Sequence, residues 1–382
     1  MHVERLSWLL PDCGELAKLK QAEPDLIIYF GSRTSLASGA AFEQLKATCP
    51  GAMVLGCTTG GQIHEHDAVD DEITGVAIRF DETRIRLVSE MVGSSADSRA
   101  CGRAIGERLL APDLAGIFIL SDGLNVNGSE LVAGITEMIG PHIPLTGGLA
   151  GDGSQFEETL VGANCAPRSR MVAGIGFYGN AIRIGHGSAG GWDVFGPWRT
   201  VTRSQGNVLF ELDGEPALNL YERYLGDEAE GLPGAGLLFP LQIQNPDNAD
   251  HRIVRTILAV DRDKRSLTFA GDVPQGWSAQ LMRGNFEHLS RGAADAARQA
   301  TEGLADGQAT NGVALLVSCI GRRLLMGQRV SEEIEAAGAV LGTQFARLGF
   351  YSYGEISPHA VSGICELHNQ TMTITTITEL AA

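Results

Sequence analysis

One pattern recurs three times along this chain and restricts what it can fold into. A continuous apolar run is followed by a helix-like stretch, then by a second apolar run that ends in glycine. The first copy is DLIIYFGS (25–32), a helix-like segment to Lys46, Pro50 and AMVLGCTTGG (52–61). The second is AGIFILSDG (115–123), SELVAGITEMIG (129–140) with Ser129 placed to cap the helix, Pro141 and IPLTGGLAGDG (143–153). The third is GVALLVSCIGRR (312–323), SEEIEAAGAVLG (331–342) and GFYSYGEISP (349–358). Each copy is followed by alternating, strand-like segments: EITGVAIRF with RIRLVSEM, RMVAGIGFYG with AIRIGHGS, and ELHNQTMTITTITEL. The first two copies start about ninety residues apart, too long for a solenoid repeat, so they read as a duplicated α/β element.

A different texture lies between the second and third copies. RTVTRSQGNVLFELDGEPAL (199–218) holds two alternating runs around Gln205-Gly206-Asn207, which reads as a β-hairpin. RTILAVDRDKRSLTFAGDVP (255–274) holds two more around a charged Asp261–Arg265 turn. From 278 to 304 the chain reads as helical. A boundary is expected near residue 218, after the Asp213-Gly214-Glu215-Pro216 turn, giving domains 1–218 and 219–382. The fold class expected is α/β: two domains with mixed β-sheets flanked by helices, partly built from repeated strand–helix–strand–hairpin units.

Composition narrows the function. With 29 Lys and Arg against 46 Asp and Glu, the net charge of −17 repels phosphate backbones and anionic lipid, so neither nucleic acid nor a membrane surface is expected as a partner. The start, MHVERLSWLLPDCGEL, lacks a basic n-region with a small-residue cleavage site, and no run reaches 18 uncharged apolar residues; a cytoplasmic location is expected. Seven single cysteines (Cys13, Cys49, Cys57, Cys101, Cys165, Cys319, Cys365) show no CxxC or zinc spacing, and reduced thiols are the expectation. The glycine pairs Gly60-Gly61 and Gly147-Gly148 lie in neither a GxxxxGK[ST] loop nor a GxGxxG helix start, so nucleotide binding is unsupported. They read as tight strand-end turns or as anion-facing backbone.

Taken together, GCTTGGQI (56–63), SDGLNVNGSELVAGI (121–135), PLTGGLAGD (144–152), SCIGRRLLMGQRVSEEIE (318–335), YGEISP (353–358) and LHNQTMTI (367–374) resemble the FIST proteins. That bacterial sensory family has an N-terminal FIST domain and a FIST C-terminal domain. More narrowly, GHGSAGGWDVFGPWRTVTRSQGNVLFELDGEPALNLYERYLG (185–226) followed by LLFPLQI is similar to the stand-alone nitric-oxide-sensing haem proteins of the NosP group. The resemblance implies a noncovalent haem b, a nitric-oxide signal, and a separate histidine kinase or cyclic-di-GMP enzyme as partner; a homo-oligomer is compatible with it.

A noncovalent haem needs an apolar slot, an axial ligand and basic groups near its propionates. His186 ends the AIRIGHG strand and precedes a glycine-rich bend with Trp192, Phe195 and Trp198, so it stands as the axial candidate against the plainer reading of a strand-end histidine beside core aromatics. His368 divides between lining a pocket and a structural role, with Asn369 beside it as a hydrogen-bonding neighbour. His288 and His251 are weaker candidates; His64 and His66 read as loop residues, His142 as turn punctuation and His2 as terminal. Arg322 and Arg323 follow a strand, where a guanidinium suits a propionate or an amino-acid carboxylate; the alternative is salt bridging to Glu332 or Glu333. Glu355 is the expected counter-charge if either is buried. Cys319, Glu355, Asn369, Gly147 and Gly148 complete the pocket candidates. A cysteine nucleophile at Cys319 or Cys57 with His368 and Asn369 can be assembled only by free choice, so no enzyme and no catalytic residue is expected. The competing function is a haem-independent sensor for an amino acid or carboxylate.

Overall fold

The recurring pattern folds into three units of one design in the computed structural model, which describes residues 1–12, 14–302, 304, 311–360 and 362–380. The first unit comprises β1 (His2–Trp8), α1 (Leu19–Ala22), β2 (Leu26–Gly31), α2 (Arg33–Leu36), α3 (Ala40–Thr48), β3 (Met53–Thr58), β4 (Gln62–His64), β5 (Asp67–Val69) and β6 (Ile73–Arg79). The second runs through β7 (Arg84–Met91), α4 (Ser98–Leu109), β8 (Leu114–Ser121), α5 (Gly128–Ile139), β9 (Leu145–Leu149), β10 (Val161–Ala163) and β11 (Met171–Tyr178). The third opens with β12 (Ile182–Ala189) and is then interrupted by a β-rich module. The module holds β13 (Trp192–Gln205), β14 (Val208–Leu212), β15 (Glu215–Pro216), α6 (Ala217–Leu225), β16 (Leu241–Asn245), β17 (Asn248–Arg255), β18 (Ile257–Asp261), β19 (Ser266–Phe269) and β20 (Ser278–Gly284). The third unit resumes with α7 (Phe286–Thr301), β21 (Gly312–Cys319), α8 (Ile320–Met326), α9 (Ser331–Leu341), β22 (Phe345–Ser352), β23 (Gly354–Pro358), β24 (Cys365–His368) and β25 (Met372–Glu379).

Within each unit the two apolar strands pair in parallel, β2 with β3, β8 with β9, and β21 with β22. The closing strand lies antiparallel to the first of each pair, and the opening strand lies on the closing one. The sheet is then extended by a neighbour. The β4–β5 hairpin of the first unit joins β22 of the third; β23 and β24 of the third join β9 of the second; β10 of the second joins β3 of the first. The exchange closes on itself, and three backbone bonds repeat it at the strand ends: Gly60 N–H to Tyr351 O (2.8 Å), Tyr353 N–H to Leu149 O (3.1 Å) and Gly151 N–H to Thr58 O (3.0 Å).

These bonds put Gly56, Gly147 and Gly349 at equivalent positions. Each faces the first strand of its pair, opposite Tyr29, Ile119 and Leu316, and a Cβ on any of them would overlap that residue's carbonyl oxygen. A glycine within each second run is thus a requirement of close strand approach. Helix α7 shows the same logic: its inward residues are Leu289, Gly292, Ala293, Ala296, Ala297 and Ala300, small enough to lie against Gly185 and Gly187 of β12. The parallel strands are buried along their length, as Ile27, Ile28, Phe118, Ile119, Leu315 and Leu316 show, and each such side chain contributes about 1.5–3 kcal/mol on burial.

The fold is the expected mixture of sheets and helices. Both hairpins form, β13 with β14 around Gly206 and β18 with β19 across Asp261–Ser266. Two local readings are corrected. Residues Ser278–Gly284 make strand β20, whose alternation pairs it with β13 and β16, and the helix begins only at Phe286. Asn127, not Ser129, caps α5, its side chain accepting from Ser129 N and Glu130 N, because the helix starts one residue before Ser129. Strands from both sides of residue 218 share three of the four sheets among the described residues. Cys13 lies outside the described residues; the other six cysteines are free thiols. No described helix is long and apolar enough to cross a membrane.

Candidate functional site

The inserted module rests on one turn of the core, His368–Thr371, between β24 and β25. Gln370 holds a left-handed backbone (φ 64°) and places its carbonyl to accept from Trp192 Nε1 at 2.9 Å, while its side-chain amide donates to Leu237 O at 2.9 Å. Asn369 Oδ1 accepts from Thr256 N at 3.4 Å, and Arg255 Nη1 donates to Leu367 O at 3.0 Å. The LHNQT segment therefore works as a post on which the module is docked.

Two cavities flank this post. The larger, about 430 Å³, lies between α5, β24 and the module sheet; Val132, Ala133 and Thr136 line it from the helix, Glu366 and Leu367 from the core strand, and Ile243, His251, Ile253, Arg255 and Trp277 from the module. Its size falls in the ordinary range of ligand sites. The smaller, about 240 Å³, is lined by Trp192, Arg252, Met282, His359, His368 and Thr371 among others. Between them runs a row of rings, Trp277 to His251 (5.3 Å between centroids), His251 to His359 (5.4 Å) and His359 to His368 (6.0 Å, nearly parallel).

The larger cavity collects unsatisfied polar groups. Thr136 Oγ1, His251 Nε2 and Glu366 Oε2 are buried with no hydrogen-bond partner, and all three residues line it. His251 Nε2 lies 2.8 Å from Glu366 Oε1 yet out of line for a hydrogen bond, so proximity alone joins them. Buried polar atoms are almost always paired; on this wall Thr136 Oγ1 and Glu366 Oε2 have hydrogen-bonding capacity to offer a ligand, and His251 Nε2 faces only the Glu366 carboxylate. Arg255, also on that wall, is held by Asp272 O (2.8 Å), Val254 O (3.2 Å) and Leu367 O, and burial lowers its pKa to about 10.

The residues singled out from the sequence are distributed as follows. Trp192 and His368 share the smaller cavity; His368 Nε2 donates to Ser357 O (2.9 Å) and burial lowers its pKa to about 4, so the ring is neutral. Asn369 lies beside them with its Nδ2 buried and unpaired. His186 lies mid-strand on β12 opposite Thr375, on the face turned from α7, with its pKa lowered by burial, and it lines neither junction cavity. Arg322 is buried, and its counter-charge is Glu333 rather than Glu355: Nε donates to Glu333 Oε2 at 2.8 Å, Nη1 to Gly190 O at 2.8 Å and Nη2 to Leu289 O at 2.9 Å. Ser318 and Tyr351 hydroxyls complete Glu333. The salt-bridge alternative with Glu333 is the one that forms, but it is buried rather than at the surface, because helix α9 delivers Glu333 inward near its start.

Arg323 points the other way, bidentate to Asp70 (2.8 and 2.7 Å) and over the Tyr351 ring, at a polar cavity of about 250 Å³ beside Arg33 and Asp152. Glu355 is wrapped by Ser352 Oγ, Thr371 N and Thr371 Oγ1, and desolvation raises its pKa to about 8. Cys319, next to it, is a buried thiol with its pKa pushed up, the reverse of a nucleophile. Gly147 and Gly148 lie inside β9 between two paired strands, so their amides belong to the ladder. His288 pairs with Asp193 at 2.8 Å, and His66 with Arg347.

Sequence reasoning missed Arg255, His359, Glu366 and Thr136. One signal for Arg255 was present: it shares strand parity with Ile253, so an arginine occupies an inward position. Among the described residues no group of three or more His, Cys, Asp or Glu is placed to hold a metal ion.

Comparison with known proteins gives two family matches in tandem, described as the FIST N domain over residues 25–215 and the FIST C domain over 217–358. An uncharacterized protein of Methanocaldococcus jannaschii is 28% identical over 231 residues, 56% of this chain and 43% of that protein, so the chain spans less than half the length of the curated relative it matches. Among solved structures, cyanuric acid hydrolase from A. caulinodans aligns over 100% of this chain and 99% of its own with a TM-score of 0.39 and 8% identity, which says nothing of activity.

Proposed function

Because this chain belongs to the FIST family, carrying its N and C domains in tandem, we propose that it is a cytoplasmic sensor whose small ligand occupies the 430 Å³ cavity between core and module. The observation that carries this reading is the set of unpaired polar atoms on that cavity's wall. A ligand there touches both bodies. It favours the docked arrangement by the difference in its affinity for the two states, and a separate signalling protein reads the change. The expected reader is a histidine kinase or a cyclic-di-GMP enzyme.

A second reading, haem as the resident group with nitric oxide as the signal, is favoured by His251, an imidazole nitrogen without a hydrogen bond on an apolar wall that also carries Arg255 and Arg99. The donor set suits the group: His251 would hold the iron and Arg255 would meet a propionate, while Arg99 is paired with Glu130 and Glu137. When bound, haem iron supplies the coordination position for the gas. The chain's own residues would hold the ring and exclude water with Trp277, Ile243 and Ile253, with the Glu366 carboxylate beside His251.

The test is an absorption spectrum of ferrous protein after haem addition, with and without nitric oxide. A saturable one-to-one Soret band that moves with the gas, weakened in His251→Ala and kept in His186→Ala, supports the haem reading. No stoichiometric uptake rejects it and leaves the organic-ligand sensor, followed by thermal shift.

A further inference from the structure

Three arginines are almost wholly removed from water, Arg322, Arg347 and Arg255. Two of them have charged partners in the fold. Arg322 meets Glu333 at 2.7 Å, and Arg347 lies 3.7 Å from Glu65 and bonds His66. Arg255, 4% exposed, has no carboxylate within 4 Å of its guanidinium among the described residues. Its three hydrogen bonds go to neutral main-chain carbonyls, and its Nη2 makes none among the described residues. The two carboxylates that share its cavity act on it through their charge but do not touch its guanidinium: Asp272 accepts from Asn127 Nδ2 at 3.0 Å and Glu366 lies beside His251. A buried guanidinium keeps its charge and is costly without an anion. Carbonyls orient it, and with Asp272 and Glu366 acting only from a distance no anion meets its fork directly.

We infer that Arg255 reads a carboxylate carried by the ligand of the junction cavity. The fork geometry of a guanidinium suits a carboxylate, and the surrounding Trp277, Ile243, Ile253 and Val132 ask for an apolar or aromatic body attached to it. This rests on the cavity being the ligand site. Two sources present that chemistry, a porphyrin propionate and a free aromatic acid. The ligand-side change that removes the charge is esterification in the first case, which adds one methyl per propionate, and the near-isosteric amidation in the second.

The experiment uses the full chain and two probe pairs, haemin against its dimethyl ester and 2-naphthoic acid against 2-naphthamide, with binding followed by absorbance and by thermal shift. The acidic member of one pair is expected to bind about ten- to hundredfold more tightly than its neutral partner, and the pair that shows this identifies the source. Arg255→Gln removes the difference and Arg255→Lys keeps part of it. Because the comparison is made on the ligand, it stands even if an arginine variant folds poorly. Acid and neutral forms that bind equally, both lost in the cavity-filling Ala133→Trp, overturn the role of Arg255 and leave the cavity reading in place. Binding that survives Ala133→Trp overturns the cavity reading, and no binding by either pair overturns the carboxylate assignment.

Discussion

In the core, Gly56, Gly147 and Gly349 stand where any side chain would strike a carbonyl of the neighbouring strand; in the module, Gly214 and Gly276 turn their loops with open space around them. The same contrast holds for charge. Arg322 is saturated by a carboxylate and two carbonyls that tie α8, α9, α7 and Gly190 together, whereas Arg255 at the module's base touches only carbonyls among the described residues. The core is fixed by many non-local contacts that leave no slack. The module is held by one turn, a few side-chain bonds and a partly empty seam. A ligand can shift the second kind of region and not the first, since the accessible motions of a protein come from its weakly held parts.

The comparison breaks most directly on glycine. Gly147→Ala, at φ 138° and against Ile119 O, is expected to cost about 4–5 kcal/mol or more, whereas Gly276→Ala, at φ 87° in open space, costs about 1–2 kcal/mol. Urea unfolding of the two variants decides it, and equal losses would remove the distinction between the regions. Next in size, Arg322→Met strands Glu333 in the core and is expected to cost about 3–5 kcal/mol. The double variant Arg322→Met/Glu333→Leu should recover most of that, and calorimetry that finds no recovery would show that the arginine acts by packing alone.

The two regions also separate by pH. Glu355 in the core has a pKa raised to about 8 by desolvation, so between 4.5 and 8 the folded state binds more protons than the unfolded one and stability falls as pH rises. His368 at the junction has its pKa lowered to about 4, so below 6.5 the unfolded chain takes a proton that the fold refuses, and stability falls as pH drops. From 4.5 to 6.5 the slopes oppose each other. A Tm that declines from pH 6.5 to 8.5, and flattens in Glu355→Gln, is the expected result; an unchanged slope in that variant places the titration elsewhere. The smallest effect belongs to the docking post. Trp192→Phe deletes the bond to Gln370 O at about 1 kcal/mol, and hydrogen exchange should quicken in β13 and β20 while β8 and β21 stay protected. Uniform quickening would mean that core and module open as one.

Local structure was legible where it rests on local chemistry. The three strand–helix–strand units follow from apolar runs and their glycine ends, and both module hairpins follow from the residues that turn them. What sequence does not display is pairing at a distance. The short strands β4, β10 and β23 carry no mark of the sheet they join, because their partners lie 280, 100 and 200 residues away in rough count. The site followed the same rule. His368 and Trp192 were singled out and do share a cavity, but Arg322 and Arg255 look alike as letters, and only the placement of Glu333 by α9 tells a structural arginine from one that lacks an anion. His251 stands only as a weaker candidate in the sequence, where Asp and Asn surround it and nothing marks the strand β17 that carries it.

The strand exchange has a consequence for how such a molecule is put together. Each unit gives a strand to one neighbour and receives one from the other, always in the same rotational sense. A single unit standing alone would hold both a vacant sheet edge and a projecting strand, and three copies in a ring are what satisfies both at once. The chain is in that sense a trimer written as one polypeptide. Fusion frees its members from having to be identical, and one of them has taken up an extra domain between its first strand and its first helix without opening the ring.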